Sequence, residues 1–285
     1  MASYEVDWSE WTDRLATAAR DEAGWYAAMA AALARPTDRA VADVGCGGAG
    51  MAVALAAALP AGARVVAVDG DEAVLAGARA NAAAAGAEVV FVRADIADPA
   101  GLRAAVGPPA DLVWAAGVVH HAPDQQAVVG ELAGLLAPGG RLALAEGGVR
   151  PLHLPWDVGV GEPGLELRLR AAEDQWFAGM RAALPGVVRM PYGWPEALRR
   201  AGLAGPTTRS TLVERPVPLT EADRSSVVDS LRWRLDRARG YGLLAAEDEP
   251  AWTQLLDPAD RAFLGNRPDL YHLGVHTVHI GHRAG

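Results

Sequence analysis

The sequence predicts an α/β fold with a doubly wound, mostly parallel sheet, and three observations support this. Short apolar segments alternate with helical segments between positions 40 and 148 of the 285-residue chain. The links between them are short, which is typical of parallel strands joined by helices. Several of the apolar segments end in an acid. Ligands bind such sheets at the carboxyl ends of the strands, so the polar residues there are candidate site residues.

Seven strands and the helices around them follow from hydrophobic periodicity and from the Gly and Pro residues that interrupt it. The predicted strands are residues 40–45, 64–70, 88–95, 110–117, 141–148, 207–217 and 271–283. The predicted helices are residues 8–35, 51–60, 71–86, 124–140, 164–184 and 193–203, with a helical insertion over 220–264. Residues 151–163 contain several prolines and glycines and are predicted to form a loop.

These elements are expected to form a single domain over residues 1–285, because hydrophobic residues make up 51% of the chain and suffice for a full core. The sheet region would be the center of the domain, and the remaining segments would cover it. The expected parts are an N-terminal helical lid (1–36), a core (37–150), two helical lid insertions (151–192 and 220–264) and a closing strand (265–285).

Composition and charge argue against several classes of partner. The net charge of −9 disfavours a nucleic-acid backbone or an anionic membrane as the main partner. Cys46 is the only cysteine, so no internal disulfide forms and a reducing cytoplasm fits. Glu5 and Asp7 stand where a signal peptide needs positive charge. The most apolar stretch, residues 51–68, is broken by Pro60, so a cytoplasmic protein is predicted.

A glycine-rich turn follows the first predicted strand. Gly45, Gly47 and Gly50 match the pattern GxGxxG, and Asp69 follows about twenty residues later. This is the fingerprint of a dinucleotide site, and it would indicate an NAD(P)-dependent oxidoreductase. However, Asp43 lies two residues before the first glycine, where an anionic pyrophosphate would be repelled. A carboxylate at this strand end favours a cationic ligand group.

Four further segments join the turn in a resemblance to class I S-adenosylmethionine-dependent methyltransferases. VADVGCGGAG (41–50) resembles the first motif of that family, D-x-G-x-G, and VVAVDG (65–70) resembles the second. VRADIAD (92–98) resembles the third, WAAGVVHHAPD (114–124) the exit of the fourth strand, and LLAPGGRLALAEGG (135–148) the element that follows. The usual third glycine is Ala49 here. The remaining segments look like small-molecule methyltransferases of high-GC bacteria.

The resemblance implies a Rossmann-like methyltransferase fold that binds S-adenosylmethionine, releases S-adenosylhomocysteine and needs no metal. It implies that Asp43 lies near the ammonium of the cofactor and that Asp69 accepts from both ribose hydroxyls. It also implies that Asp95 accepts from the adenine amino group, with Ile96 packed on the ring. The cofactor-binding residues expected on this basis are Asp43, Gly45, Cys46, Gly47, Asp69, Gly70, Asp95, Ile96 and Ala115.

Two adjacent histidines follow the fourth predicted strand. The resemblance places His120 beside the departing methyl group, where it could take a proton from the acceptor, and His121 would support it. The alternative is that His120 only shapes the pocket while His121 turns into the core or caps the next helix. Four further histidines near the end, residues 272–282, lie on a predicted strand without accompanying acids. They indicate an edge-strand or surface role and no metal site.

Aromatic residues concentrate in the predicted lids, as expected for a cavity that holds a flat organic substrate. The alternative is that they only pack the lids against the core. The arginines of RWRLDRARG (232–240) could hold a substrate anion or could form a solvated face paired with nearby acids. The predicted substrate-binding residues are Trp11, Glu146, Trp156, Trp176, Met180, Tyr192 and Trp233.

The predicted function is methyl transfer from S-adenosylmethionine to a small organic metabolite, aromatic or from secondary metabolism. O-methylation with a histidine base is favoured. C- or N-methylation of an aromatic or indole-like metabolite is the alternative, and a non-catalytic partner that binds S-adenosylmethionine is a further one. The expected partner is the small-molecule substrate, with no nucleic acid and no membrane, and the sequence leaves a homodimer open.

Overall fold

The computed structural model describes residues 8–285, so the first seven residues of the predicted N-terminal lid, with Glu5 and Asp7, lie outside the described residues. The chain divides into two compact units. Of the described residues, 8–147, 186–209 and 277–285 form the core unit, and 148–185 and 210–276 form the insertion unit.

The strands of the core unit form a mostly parallel sheet, as predicted. The strands in chain order are β1 (Ala40–Val44), β2 (Arg64–Asp69), β3 (Val90–Arg93), β4 (Ala110–Ala116), β5 (Leu136–Ala145), β6 (Val149–Leu152), β7 (Ala204–Glu214) and β8 (Leu273–His282). The strand order is β3-β2-β1-β4-β5-β8, and all neighbours are parallel except β5 and β8. The other partner of β8 is β7, and within the insertion unit β6 pairs with the first residues of β8.

The described residues therefore contain eight strands, where the sequence predicts seven. The additional strand is β6, which has four residues, includes Pro151 and begins just before the predicted loop. So short a segment carries no readable alternation, and proline is uncommon inside strands. β5 also begins five residues earlier than predicted, because Leu136 already pairs with Ala110 of β4. The helix before it ends at Gly134 instead of 140.

Helices of the core unit cover both faces of its sheet. The α-helices in chain order are α1 (Thr12–Asp21), α2 (Ala23–Leu33), α3 (Gly50–Ala58), α4 (Glu72–Ala84), α5 (Pro99–Val106), α6 (Gln125–Gly134), α7 (Leu165–Ala183), α8 (Trp194–Arg200), α9 (Glu221–Gly240) and α10 (Glu249–Leu256). The predicted helix 8–35 is interrupted at Glu22, and α5 is not anticipated by the sequence analysis. Taken one by one, none of the helices in the described part of the chain is long and apolar enough to cross a membrane.

Successive strand residues pack on opposite faces of the sheet, as the pleat of a strand requires. In β1, Val44 belongs to one buried apolar cluster and Val41 to the other. In β2, Val66 and Val65 divide in the same way. Because both faces are covered, these strands are apolar throughout and become polar only where they end. Asp43 and Asp69 stand at that point.

The insertion unit has an apolar core of its own. Leu169 of α7, Leu231 and Leu235 of α9, and Trp252 of α10 are fully buried in one cluster. Its buried carboxylates and its buried arginine are paired inside the unit. Arg234, for example, is buried and bonds to both Glu166 and Glu173.

Candidate active site

A cavity of about 480 Å³ lies in the core unit, beside the ends of β1, β2 and β4. Its size is ordinary for a pocket that holds a small ligand or cofactor. Eight of the nine predicted cofactor-binding residues line it, namely Asp43, Gly45, Cys46, Gly47, Asp69, Gly70, Asp95 and Ile96. The ninth, Ala115, points to the other face of the sheet, while its neighbours Trp114 and Ala116 line the cavity.

The turn between β1 and α3 has little room for side chains. Gly45 has a φ of 70°, and a Cβ at this position would lie 2.5 Å from the side chain of Val118. The backbone N–H groups of Gly45 and Cys46 both donate to the carbonyl of Val68 in β2. Ala49, where the family pattern has glycine, also adopts the left-handed region, with a φ of 61°. The turn therefore keeps the backbone shape that a glycine would give it.

Asp43 is a buried carboxylate in the wall of the cavity. Its Oδ2 accepts a hydrogen bond of 3.0 Å from the N–H of Ala52 in the first turn of α3. Burial raises the pKa of Asp43 to about 7, and the nearby Asp69 contributes in the same direction. A positive group bound in the cavity would stabilise the charged form of this carboxyl.

Asp69 is the last residue of β2 and Asp95 follows β3 by two residues, and both line the same cavity. Asp69 accepts from the N–H of Gly47 at 3.0 Å and from the N–H of Asp71 at 3.2 Å. Burial nevertheless raises its pKa. Asp95 is exposed and accepts from the N–H of Ala97 at 2.8 Å. A carboxylate has about four acceptor positions, so each retains some for ligand hydroxyl or amino groups.

Cys46 lies in the same turn, and its side chain is buried. Burial raises the pKa of its thiol well above the usual value, and the charges of Asp43 and Asp69 add to this shift. Only a thiolate is a good nucleophile, so Cys46 contributes a small apolar side chain to the turn and no reactivity.

The N-terminal helices form another part of the wall. Trp8, Leu15 and Tyr26 line the cavity, and the partial burial of Tyr26 raises the pKa of its hydroxyl. The ring of Trp8 meets that of His121 edge-on, with centroids 4.9 Å apart. None of these three residues is among those predicted for the site. The aromatic character of the N-terminal segment is a signal for Trp8 and Tyr26 but not for Leu15.

His120 and Glu146 form the polar pair at the edge of this site. Nδ1 of His120 lies 2.7 Å from Oε2 of Glu146. The His120 side chain is 28% exposed and Glu146 only 2%, so the ring is accessible while the carboxylate is enclosed. Oε1 of Glu146 accepts from the N–H groups of Val118 and Val119 at 3.0 and 2.8 Å. Glu146, predicted to bind substrate, thus contacts His120 instead.

His121 lies in the wall of the cavity, whereas His120 does not. The two rings are nevertheless neighbours, with centroids 4.1 Å apart. Both belong to a single 3₁₀ turn, Val119–His121, that follows β4. The predicted site therefore has one histidine in the cavity wall and one beside it, held by a carboxylate.

Of the residues predicted to bind substrate, none forms part of the cavity wall. In the core unit, the ring of Trp11 packs near Trp8, and Tyr192 donates its hydroxyl to Gln126 at 3.0 Å. The other aromatic and methionine residues of the prediction belong to the insertion unit, where Trp176 and Met180 are buried and Trp156 is 69% exposed. The predicted substrate-binding residues are thus divided between the two units.

The arginines of residues 232–240 are paired with acids. Arg232 bonds to Asp229, and Arg239 bonds to Asp236 and Glu249. This agrees with the interpretation in which nearby acids, and not a substrate anion, balance the charge of these arginines.

Arg237 has aromatic neighbours as well as an acidic one. Its guanidinium lies over the rings of Trp176 and Trp233, 4.4 and 4.3 Å from their centroids, and bonds to Glu173. Trp233, predicted to bind substrate, therefore packs on an arginine inside the insertion unit.

The sequence predicts an edge strand or a surface role for the histidines near the end of the chain. The structure does not place them on an edge strand. Their strand, β8, pairs with β5 on one side. His279 is buried, with Nε2 3.2 Å from the carbonyl oxygen of Glu146 and Nδ1 2.9 Å from the hydroxyl of Thr208. The expectation was wrong because the partners of β8 lie far away in the sequence. Among residues 8–285, no group of three or more His, Cys, Asp or Glu side chains is placed to hold a metal ion.

Comparison with known proteins supports the interpretation of this cavity. Residues 41–140 match the family described as a methyltransferase domain. No curated protein sequence gives a significant match.

Solved structures show the same fold at low identity. A candidate methyltransferase from Bacillus halodurans is 17% identical, with a TM-score of 0.51, over 93% of this chain and 100% of the other. An O-methyltransferase family protein from Burkholderia thailandensis is 16% identical, with a TM-score of 0.50, over 96% of this chain and 59% of the other. A candidate O-methyltransferase from Nostoc punctiforme is 17% identical, with a TM-score of 0.50, over 71% of this chain and 56% of the other.

The family match covers β1 to β5, the segment that carries Asp43, Asp69, Asp95 and His120. The glycine pattern that also fits a dinucleotide site therefore lies inside the match to the methyltransferase domain. Residues 41–140 therefore match a methyltransferase domain, and the fold around them is shared with the solved structures above.

Proposed function

We propose that the protein transfers a methyl group from S-adenosylmethionine to an oxygen of a small organic metabolite, with His120 as the base. The observation that carries the choice of oxygen is the bond between His120 and the enclosed carboxylate of Glu146 at the edge of the cofactor cavity. A hydroxyl acceptor has a proton to lose, and a histidine held in this way is suited to take it.

The charges of the cavity wall fit S-adenosylmethionine. Among the described residues, the wall contains no arginine and four aspartates, which are Asp43, Asp69, Asp71 and Asp95. Such a wall attracts a ligand with an ammonium, a sulfonium, hydroxyls and an amino group. It would repel the two phosphates of a dinucleotide, which need basic groups or N–H donors. We therefore reject the NAD(P)-dependent oxidoreductase alternative.

Four side chains would hold the cofactor in this proposal. Asp43 would attract the ammonium, and Asp69 would accept from the ribose hydroxyls. Asp95 would accept from the adenine amino group, and Ile96, which is partly buried against the core, would pack on the ring. When bound, the cofactor supplies an electrophilic methyl group on a sulfonium.

The remaining chemistry belongs to the chain. Displacement at the methyl carbon requires the acceptor oxygen in line with the breaking bond, so positioning and exclusion of water contribute most of the acceleration. Trp8 and His121 form an aromatic part of the wall and would exclude water there. His120 would take the proton from the acceptor oxygen as the new bond forms. We propose an aromatic or similar secondary metabolite as acceptor.

Two measurements test this proposal in sequence. Calorimetry should show binding of S-adenosylmethionine and none of NAD, and the reverse result would refute it. A methyl-transfer screen against candidate metabolites, analysed by mass spectrometry, should then give a product with the methyl group on oxygen. A product methylated on carbon or nitrogen would favour the alternative chemistry, and binding without any product would favour a non-catalytic partner.

A further inference from the structure

We propose that Glu146 is a positioning residue that determines which ring nitrogen of His120 carries the proton, and that His279 braces it. The inference deepens the proposed function, and it rests on that function only for the role of His120 as the base. The arrangement itself consists of four side chains of the core unit and two backbone N–H groups, and it can be examined without any substrate.

The carboxylate of Glu146 is fixed on both of its oxygens. Oε1 accepts from the backbone N–H groups of Val118 and Val119, and Oε2 faces Nδ1 of His120 at 2.7 Å. The side chain is enclosed, so water does not compete for these positions. The two N–H groups come from the turn that carries His120, so they tie the carboxylate to the segment it orients.

This geometry selects one tautomer of His120. An ionised carboxylate can only accept hydrogen bonds, so the proton of the neutral ring must lie on Nδ1. Nε2 then carries the lone pair and is the nitrogen that would take a proton from an acceptor. A carboxylate that orients a histidine in this manner does not itself need to touch the substrate.

His279 holds the backbone of Glu146 from the other side. Its Nε2 lies 3.2 Å from the carbonyl oxygen of Glu146, and a carbonyl can only accept, so Nε2 carries a proton. Nδ1 then accepts from the hydroxyl of Thr208 at 2.9 Å. Burial lowers the pKa of His279, which favours this neutral form. His120 and His279 are therefore expected in opposite tautomers.

The variant Glu146→Gln gives a sharp expectation. The side-chain oxygen must stay on the side of Val118 and Val119, because two N–H groups there need an acceptor. The amide NH₂ then faces Nδ1 of His120 and donates to it. The proton of the ring must move to Nε2, so the substitution should reverse the tautomer and remove the base while leaving the fold in place.

The experiment is a long-range ¹H–¹⁵N correlation spectrum of the histidine rings in the full-length protein, at about pH 9, where imidazoles are neutral. The His120 signals are identified by their loss in His120→Gln. Wild type should show Nδ1–H for His120 and Nε2–H for His279, and Glu146→Gln should show Nε2–H for His120. The matched control is Glu131→Gln on α6, a carboxylate paired with Arg103 on the surface, which should leave both tautomers unchanged.

Each result decides the inference. A wild-type spectrum that shows Nε2–H for His120 would overturn the inference, even if Glu146→Gln failed to fold. A folded Glu146→Gln variant in which the tautomer of His120 is unchanged would also overturn it. Nδ1–H for His279 would overturn its bracing role. Because the spectrum needs no acceptor, its failure is distinct from that of the proposed function. If the spectra show the expected tautomers but His120→Ala keeps full turnover, the positioning role of Glu146 is upheld and His120 is not the base.

Discussion

The bond between His120 and Glu146 joins the ends of two neighbouring parallel strands, β4 and β5. Ala116 and Ala145 are paired in register, and Glu146 follows directly while His120 lies one turn further on. The N–H of Gly117 continues the pairing by donating to the carbonyl of Ala145. The position of the pair is therefore set by sheet register, which is among the most rigid features of such a fold.

Replacement of His120 by alanine should leave cofactor binding intact and reduce turnover on the order of 10²- to 10⁴-fold, the usual contribution of a general base. Calorimetry and product formation measure the two effects separately. The comparison is His121→Ala, which removes a ring from the cavity wall and should weaken binding of cofactor or acceptor. A greater loss of turnover in the His121 variant would assign the base to His121.

Replacement of Asp69 by asparagine should weaken S-adenosylmethionine binding roughly 10- to 100-fold, because hydrogen bonds to a charged group contribute about 1.5–3 kcal/mol. The matched control is Asp71→Asn in the same turn. Asp71 accepts from the N–H groups of Ala73 and Val74 at the start of α4, and asparagine caps helices equally well. Equal weakening in both variants would show that the local charge matters and the ribose contact does not.

Cofactor affinity should depend on pH through Asp43. Its pKa of about 7 describes the free protein, and a bound ammonium would lower it because the charged carboxyl is favoured. Binding below pH 7 therefore releases a proton, so affinity should fall about tenfold for each unit of pH below 7 and level off above it.

The measurement is calorimetric titration between about pH 5.5 and 7, where an amino-acid ammonium remains protonated. Asp43→Asn should abolish the slope. A slope that persists in this variant would assign the titration to another group, such as a histidine.

The buried pair of Asp38 and Arg141 should carry much of the stability where β5 meets the N-terminal helices. Both residues are almost fully buried, Arg141 donates to both oxygens of Asp38, and it also donates to the carbonyl of Leu33. Asp38→Ala would leave the guanidinium without its charge partner, at a cost of about 3–5 kcal/mol.

Urea unfolding should show this loss as a lower midpoint. Glu196→Ala removes an exposed ion pair with Arg199 and Arg200 on α8 and should leave the midpoint almost unchanged. Equal effects of the two substitutions would contradict the importance of burial.

The acidic lining of the cavity could be predicted from the sequence because its signals are local. Asp43, Asp69 and Asp95 each lie within two residues of the end of a strand, and parallel strands bring such ends together without any further information. Ala115 shows the limit of this reasoning. The alternation of the strand turns its side chain away from the cavity that its neighbours Trp114 and Ala116 line.

The rest of the site depends on contacts between distant segments. Tyr26 reaches the cavity only because α2 packs against α3, and His279 meets Glu146 only because β8 pairs with β5. Neither contact can be predicted from the spacing of residues in the sequence. The choice between His120 and His121 is similar, since adjacent residues on one turn point in different directions and only the structure shows which one contacts Glu146.

The N-terminal helices contact the glycine turn, and this contact should link cofactor occupancy to the protease resistance of these helices. The carbonyl of Leu15 lies so close to Gly48 that a Cβ there would overlap it, and Tyr26 contacts Gly50 in the same way. The N-terminal helices thus rest on the turn that forms the cavity floor. Whatever binds there stabilises this docked arrangement by mass action. Cofactor occupancy should therefore be readable as resistance of residues 12–33 to proteolysis, without any measurement of catalysis.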